Sequence, residues 1–122
     1  MKKVLTFLFL LFAFNVNAME KETTFKKELF DKAQSEGKVV VVSSWIKYCT
    51  SCASQMKVLN KAKNDFKNIE YFSFDVTNKD IANFFNVQYQ TTLLIFKDNK
   101  EVYRSLGEIT KELIYKALET SI

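Results

Sequence analysis

Cys49 and Cys52 are the only cysteines of the chain, and there is no histidine. With Thr50 and Ser51 between them they form Cys-x-x-Cys, a spacing that serves dithiol–disulfide exchange or the holding of a soft metal ion. Both chemistries need a thiolate, so at least one sulfur must sit where an anion is favoured. A bridge between residues three apart closes a very small loop and adds little stability through loop entropy. The spacing therefore favours chemistry over stapling. Two thiolates suit Cu(I), whereas a closed Zn site takes four ligands that this chain does not supply. Redox exchange is the leading reading, a Cu(I)-handling carrier the second, and a redox-inert binding module the third.

The pair needs elements to position it. Val39 to Val42 is four β-branched residues in a row, the mark of a strand buried on both faces, and Ser43, Ser44 and Trp45 carry it to its end. From Cys52 to about Lys67 the pattern turns helical, with Val58, Ala62 and Phe66 at four-residue spacing and Met56 and Leu59 beside them. Cys49 then falls at a helix N-terminus, where free N–H groups and the helix dipole favour an anion. Cys52 lies one turn further on, placed to resolve a mixed disulfide. Trp45 and Tyr48 offer an apolar rim for a substrate, although packing serves Trp45 equally well. Asp75 is a weak candidate for a proton relay, because an acid at a strand end more often closes a turn.

The remaining chain alternates in the same way. Thr23 or Thr24 is expected to cap a helix to about Glu36, with Phe25, Leu29, Phe30 and Ala33 inward and Gly37 as a left-handed terminator. Ile69 to Val76 reads as a strand with Phe72, Phe74 and Val76 on one face. Asn78 is expected to cap a short helix holding Ile81, Ala82 and Phe85. Thr92 to Phe96 is a buried strand, Asp98-Asn99 a turn, and Glu101 to Ser105 a hairpin partner that Gly107 ends. Thr110 is expected to cap a last helix with Leu113, Ile114, Ala117 and Leu118 inward. The order α-β-α-β-α-β-β-α implies parallel pairing through right-handed crossovers, with an antiparallel edge from the closing hairpin.

Composition sets the outer bounds. A chain of 122 residues with 48% hydrophobic and 26% charged residues makes one globular domain, and twelve Phe residues supply a large apolar area. Lys2-Lys3, the apolar run from Val4 to Val16 and the small side chains of Val16 and Ala18 form the pattern of a secretory signal peptide over residues 1–18. The run is short of the roughly 20 residues of a membrane span. Residues 19–122 would be the mature domain. Without the segment's two lysines the formal charge falls from +4 to +2, and the other lysines are interleaved with acids. That is a solvated surface and not a nucleic-acid stripe.

From Thr24 to Ser121 the chain resembles the thioredoxin family. Trp45 stands four residues before the first cysteine, as the family's tryptophan does. Thr92-Leu93-Leu94-Ile95-Phe96-Lys97 is similar to the strand that follows the active-site-facing loop, and Leu106-Gly107 precedes the last helix as in the family. The resemblance implies an α/β, thioredoxin-like fold, a central mixed sheet of about four strands flanked by helices. It also implies thiol–disulfide oxidoreductase activity, with Cys49 attacking and Cys52 resolving. Trp45, Tyr48, Gln90 and Thr91 would meet the substrate. The implied partners are a client protein with a disulfide or thiols and a redox protein that regenerates the pair. No cofactor, metal or nucleic acid is expected. The protein would be a monomer that meets the membrane only during export to a bacterial periplasm.

Four positions depart from the family. Its cis-proline aligns with Thr91, its buried acid with Ser43, the acid's lysine partner with Tyr71, and the glycine-proline dipeptide of thioredoxin with Thr50-Ser51. The loss of the lysine follows from the loss of the acid, since a buried lysine without its carboxylate is costly. Strong oxidants of the family hold the thiolate with a histidine between the cysteines. Here only the hydroxyls of Thr50 and Ser51 are available, so a less oxidising pair is expected. Proline would fit at 91 if the native φ is compatible and the N–H is free. The Gln90-Thr91 bond is expected trans, the default before a non-proline residue.

Overall fold

Val39 to Val42 lie at the centre of the molecule. The structure, a computed structural model, describes residues 21–122. The expected signal segment and its junction with Met19 lie outside the described residues. The elements are α1 (Lys27–Ser35), β1 (Val39–Trp45), α2 (Thr50–Asp65), β2 (Ile69–Asp75), α3 (Lys79–Phe85), β3 (Thr92–Lys97), β4 (Lys100–Leu106) and α4 (Lys111–Ser121). The sheet order is β2-β1-β3-β4. Every residue of β1 is buried, because this strand has a neighbour on each edge and helices over each face.

The period-two alternation of the strands sorts the core into two halves. Val40, Val42, Phe72, Phe74 and Leu94 face α1 and α3, packing with Phe25, Phe30 and Phe85. Val39, Val41, Leu93 and Ile95 face α2 and α4, packing with Leu59, Ala62, Ile114 and Leu118. Edge-to-face rings such as Phe25–Phe85 (centroids 4.9 Å apart) and Phe30–Phe96 (5.1 Å) fill the first half. Such pairs add about 0.5–1.5 kcal/mol each beyond area burial. Leu29 and Leu113, expected inward, are exposed.

Pairing departs from the all-crossover expectation. β1 and β2 are parallel, but β3 is antiparallel to β1 as well as to β4. Helix length accounts for this. The 16 residues of α2 span about 24 Å and carry the chain back along the sheet, whereas the 7 residues of α3 span about 10 Å. The chain leaves β2 at Asp75, beside Trp45, and enters β3 next to Ser43, at the same end of the sheet.

Helix ends show which local readings hold. Gly37 (φ +75°) closes α1, with its N–H on Gln34 O and that of Lys38 on Ala33 O, the paired bonds of a Schellman terminus. The Asn78 side chain accepts from Ile81 N and caps α3 as expected. Thr23 and Thr24 do not cap α1. They run beside β2, where Thr24 Oγ1 accepts from Ser73 N (2.9 Å) and Thr23 Oγ1 from Asp75 N (3.1 Å). An open strand edge is a stronger competitor for these hydroxyls than a helix end already in water. Thr110 also makes no side-chain cap; the Glu108 carboxylate accepts its N–H instead.

Candidate functional site

β1 ends at Trp45, and four residues later α2 begins with Cys49 as its N-cap. The Cys49 sulfur accepts the N–H of Cys52 at 3.1 Å, so the first turn of α2 turns an amide toward it. A helix N-terminus favours negative charge, so Cys49 stands where a thiolate would be favoured once the disulfide opens. The two sulfurs are joined in a disulfide, with Cα atoms 5.3 Å apart. Cys52 is fully buried, while Cys49 is half-buried and reaches solvent.

Thr91 lies against both sulfurs. Its Oγ1 is 3.2 Å from Cys52 Sγ and 3.7 Å from Cys49 Sγ. Ser51 Oγ is 3.0 Å from Thr91 Oγ1 and 3.3 Å from Cys49 Sγ. Of the two hydroxyls between the cysteines, Ser51 is the one that turns toward the sulfurs. The backbone of Thr91 is held on every side. Its N–H donates to Ser44 O (2.9 Å), and its carbonyl accepts from Gly107 N (2.9 Å) and Gln55 Nε2 (3.3 Å). The bond before it is trans, and its φ is +61°. A β-branched residue in the left-handed region is an outlier, of a kind that gathers at functional sites. Proline cannot take that φ and has no N–H for Ser44, so both conditions for a fit at 91 fail.

The other expected site residues fall in different places. Trp45 is buried, with its indole N–H unpartnered among the described residues, so its ring packs beneath the site and does not form an open rim. Tyr48 is 89% exposed, with φ +64° and Lys47 Nζ 5.2 Å from its ring centroid. Gln90 is exposed next to Thr91. Asp75 accepts from the Thr77 N–H and hydroxyl, and so closes the turn after β2.

Ser43 and Tyr71, the positions aligned with the family's acid and lysine, are diagonal neighbours on the paired strands β1 and β2, with their oxygens 2.7 Å apart. A neutral pair takes the place of a charged one. Burial pushes the Tyr71 phenol up to about 12, against the opposing pull of the Ser43 hydrogen bond. Two contributors escaped the sequence reading. Gln55 is fully buried one turn after Cys52, and its amide donates to Thr91 O and Glu108 O (2.8 Å), tying two loops to the active helix. Ser44 Oγ donates to Tyr89 O and accepts from Thr92 N. A glutamine inside an apolar helical stripe and a serine pair continuing a valine run were the available signals.

A strand that delivers two bonded sulfurs to the first turn of a long helix, one buried and one open, is built for exchange between a dithiol and a disulfide. The class is that of thioredoxin-fold thiol–disulfide oxidoreductases. The Thioredoxin family model matches residues 16–120, and the chain belongs to that family. It is 29% identical over 90 residues to thioredoxin H-type of Fagopyrum esculentum, covering 73% of this chain and 78% of that one. It is 30% identical over 79 residues to thioredoxin-1 of Saccharomyces cerevisiae, covering 64% and 77%. Among solved structures, Trxlp from Edwardsiella tarda superposes with a TM-score of 0.69 at 25% identity, over 75% of this chain and 92% of that one. Thioredoxin NaTrxh from Nicotiana alata gives 0.69 at 26%, over 78% and 83%.

Proposed function

We propose that this protein is exported and exchanges its Cys49–Cys52 pair with disulfides or thiols of client proteins, Cys49 attacking and Cys52 resolving. The observation that carries the assignment is the asymmetry of the two sulfurs. Cys49 is reachable and receives a helix N-terminal N–H, while Cys52 is sealed beneath it. The reachable, anion-stabilised sulfur attacks first, and the buried one attacks the mixed disulfide from within. Tyr48 and Gln90 border the approach, and Thr91 contacts the sulfurs from the opposite loop. Export rests on the signal pattern of residues 1–18, with residues 19–122 as the mature domain and a periplasm as destination. Among the described residues no helix is long and apolar enough to cross a membrane. A second redox protein would restore the pair after each turnover.

The test is trapping in the exporting cell. Cys52→Ser is expected to accumulate mixed disulfides with clients on non-reducing gels, and Cys49→Ser to accumulate few. Equal trapping by both variants would overturn the roles. Mass spectrometry of the exported chain is expected to show Met19 as its first residue.

A further inference from the structure

Resolution of a mixed disulfide poses a proton problem at this site. Cys52 must lose a proton before it attacks, yet it is fully buried. Among the described residues its sulfur hydrogen-bonds to the Thr91 hydroxyl and to no ionisable side chain. The position the family gives to a buried acid is Ser43, paired with a phenol that burial keeps protonated far above neutrality. What does touch the sulfurs is a chain of two hydroxyls. Thr91 Oγ1 lies 3.2 Å from Cys52 Sγ, Ser51 Oγ lies 3.0 Å from Thr91 Oγ1, and Ser51 Oγ lies 3.3 Å from Cys49 Sγ. A hydroxyl both donates and accepts, so such a chain passes a proton by reversing the sense of its hydrogen bonds. The chain runs from the buried sulfur to the open one, and Ser51 is itself exposed.

We infer that Thr91 and Ser51 form a proton relay coupling deprotonation of Cys52 to departure of the client sulfur from Cys49. The inference rests on the exchange function proposed above. In the resolving step the Cys52 proton moves to Thr91 Oγ1, the Thr91 proton to Ser51 Oγ, and the Ser51 proton to the departing client sulfur. The Cys52 sulfur forms its bond to Cys49 as the bond from Cys49 to the client breaks. The electron pair of that bond leaves with the client, which departs as a thiol. The protein pair is oxidised and the client reduced, with no other reactant. The same path run backwards takes the proton of an incoming client thiol to Cys52. The left-handed φ of Thr91 acquires a purpose here, because the strained backbone holds the hydroxyl against the sulfurs.

The experiment is quench-flow of the purified, pre-reduced protein with two small disulfides, followed by mass spectrometry. One disulfide releases an alkyl thiol, which leaves poorly without a proton, and the other an aryl thiol of low pKa, which leaves as an anion. Formation of the mixed disulfide reads Cys49, and its decay reads resolution. Thr91→Val and Ser51→Ala are expected to slow decay of the alkyl mixed disulfide by about tenfold or more, and decay of the aryl one much less. Thr91→Ser is expected to restore most of the rate, and the solvent deuterium effect on decay is expected to shrink in Thr91→Val. Slowing that is equal for both leaving groups, or wild-type decay in both variants, overturns the relay. If Thr91→Val does not fold, Ser51→Ala at its exposed position decides by the same comparison. A wild-type protein that forms no mixed disulfide with either reagent overturns the exchange function itself, a result distinct from normal formation followed by relay-independent decay.

Discussion

Thr91 is the residue on which the site turns. Its amide, carbonyl and hydroxyl are all engaged, and all three engagements reach the active helix or the strand that carries it. The family's proline has no N–H to offer Ser44. Thr91→Pro is therefore expected to cost more than about 1 kcal/mol of stability here, through the lost bond to Ser44 and the incompatible φ. Denaturant unfolding of the variant checks this, and an unchanged midpoint and slope would contradict it. Tyr48 is the other large residue with positive φ beside the cysteines. Two strained residues thus bracket the sulfurs, one before Cys49 in sequence and one across from it in space.

At the level of elements, the chain handles turns without proline and with two glycines. Asn68, Asn86, Asp98 and Asn99 take the left-handed positions at strand and helix ends, since their short polar side chains tolerate that region. Asp98-Asn99 makes the two-residue hairpin between Lys97 and Lys100, with both residues at positive φ as a type I′ turn requires. The sheet edges are managed differently. β4 carries Lys100, Glu101 and Arg104 on its exposed edge, and the Arg104 guanidinium donates to the Phe85 and Asn86 carbonyls at the end of α3. β2 is covered by Glu22 to Phe25, which supply both main-chain and hydroxyl partners to Ser73. Thr24→Val keeps the shape but leaves the Ser73 N–H without its acceptor. It is expected to cost about 1–3 kcal/mol, with faster amide exchange at Ser73. Unaltered exchange there would show that the cover contributes nothing.

For the molecule as a whole, the neutral Ser43–Tyr71 pair contributes to how stability responds to alkaline pH, alongside Tyr115, whose phenol is also raised. The Tyr71 phenol ionises near 10 when unfolded and is raised to about 12 in the fold, with burial the main cause. A folded value above the unfolded one means the contribution is fully present below pH 10. It is lost as pH rises from 10 to 12. Tyr71→Phe is expected to flatten the fall of unfolding free energy across that window. At neutral pH it is expected to cost about 1–3 kcal/mol, because Ser43 then loses its partner. Chemical unfolding at a series of alkaline pH values reads both effects. A fall as steep in the variant as in the wild type would assign the alkaline loss to other groups.

The elements and the cysteine pair were legible in the chain because they rest on local patterns. Four valines in a row, the helical spacing after Cys52, the Asp98-Asn99 turn and Gly37 each act within a few residues, and the fold keeps each of them. Cys49 at a helix N-terminus follows from the same short-range logic. Tertiary structure decided what depends on distant partners. It set β3 antiparallel because α3 is too short to carry the chain back. It drew Thr23 and Thr24 to the open edge of β2. It buried Trp45, turned Leu29 and Leu113 outward, and placed Gln55 between two loops. Above all it brought Thr91 across 39 residues to Cys52 and gave it a left-handed backbone. No window of sequence holds both ends of that contact, so neither the hydroxyl chain nor the strain that holds it could be read from either end alone.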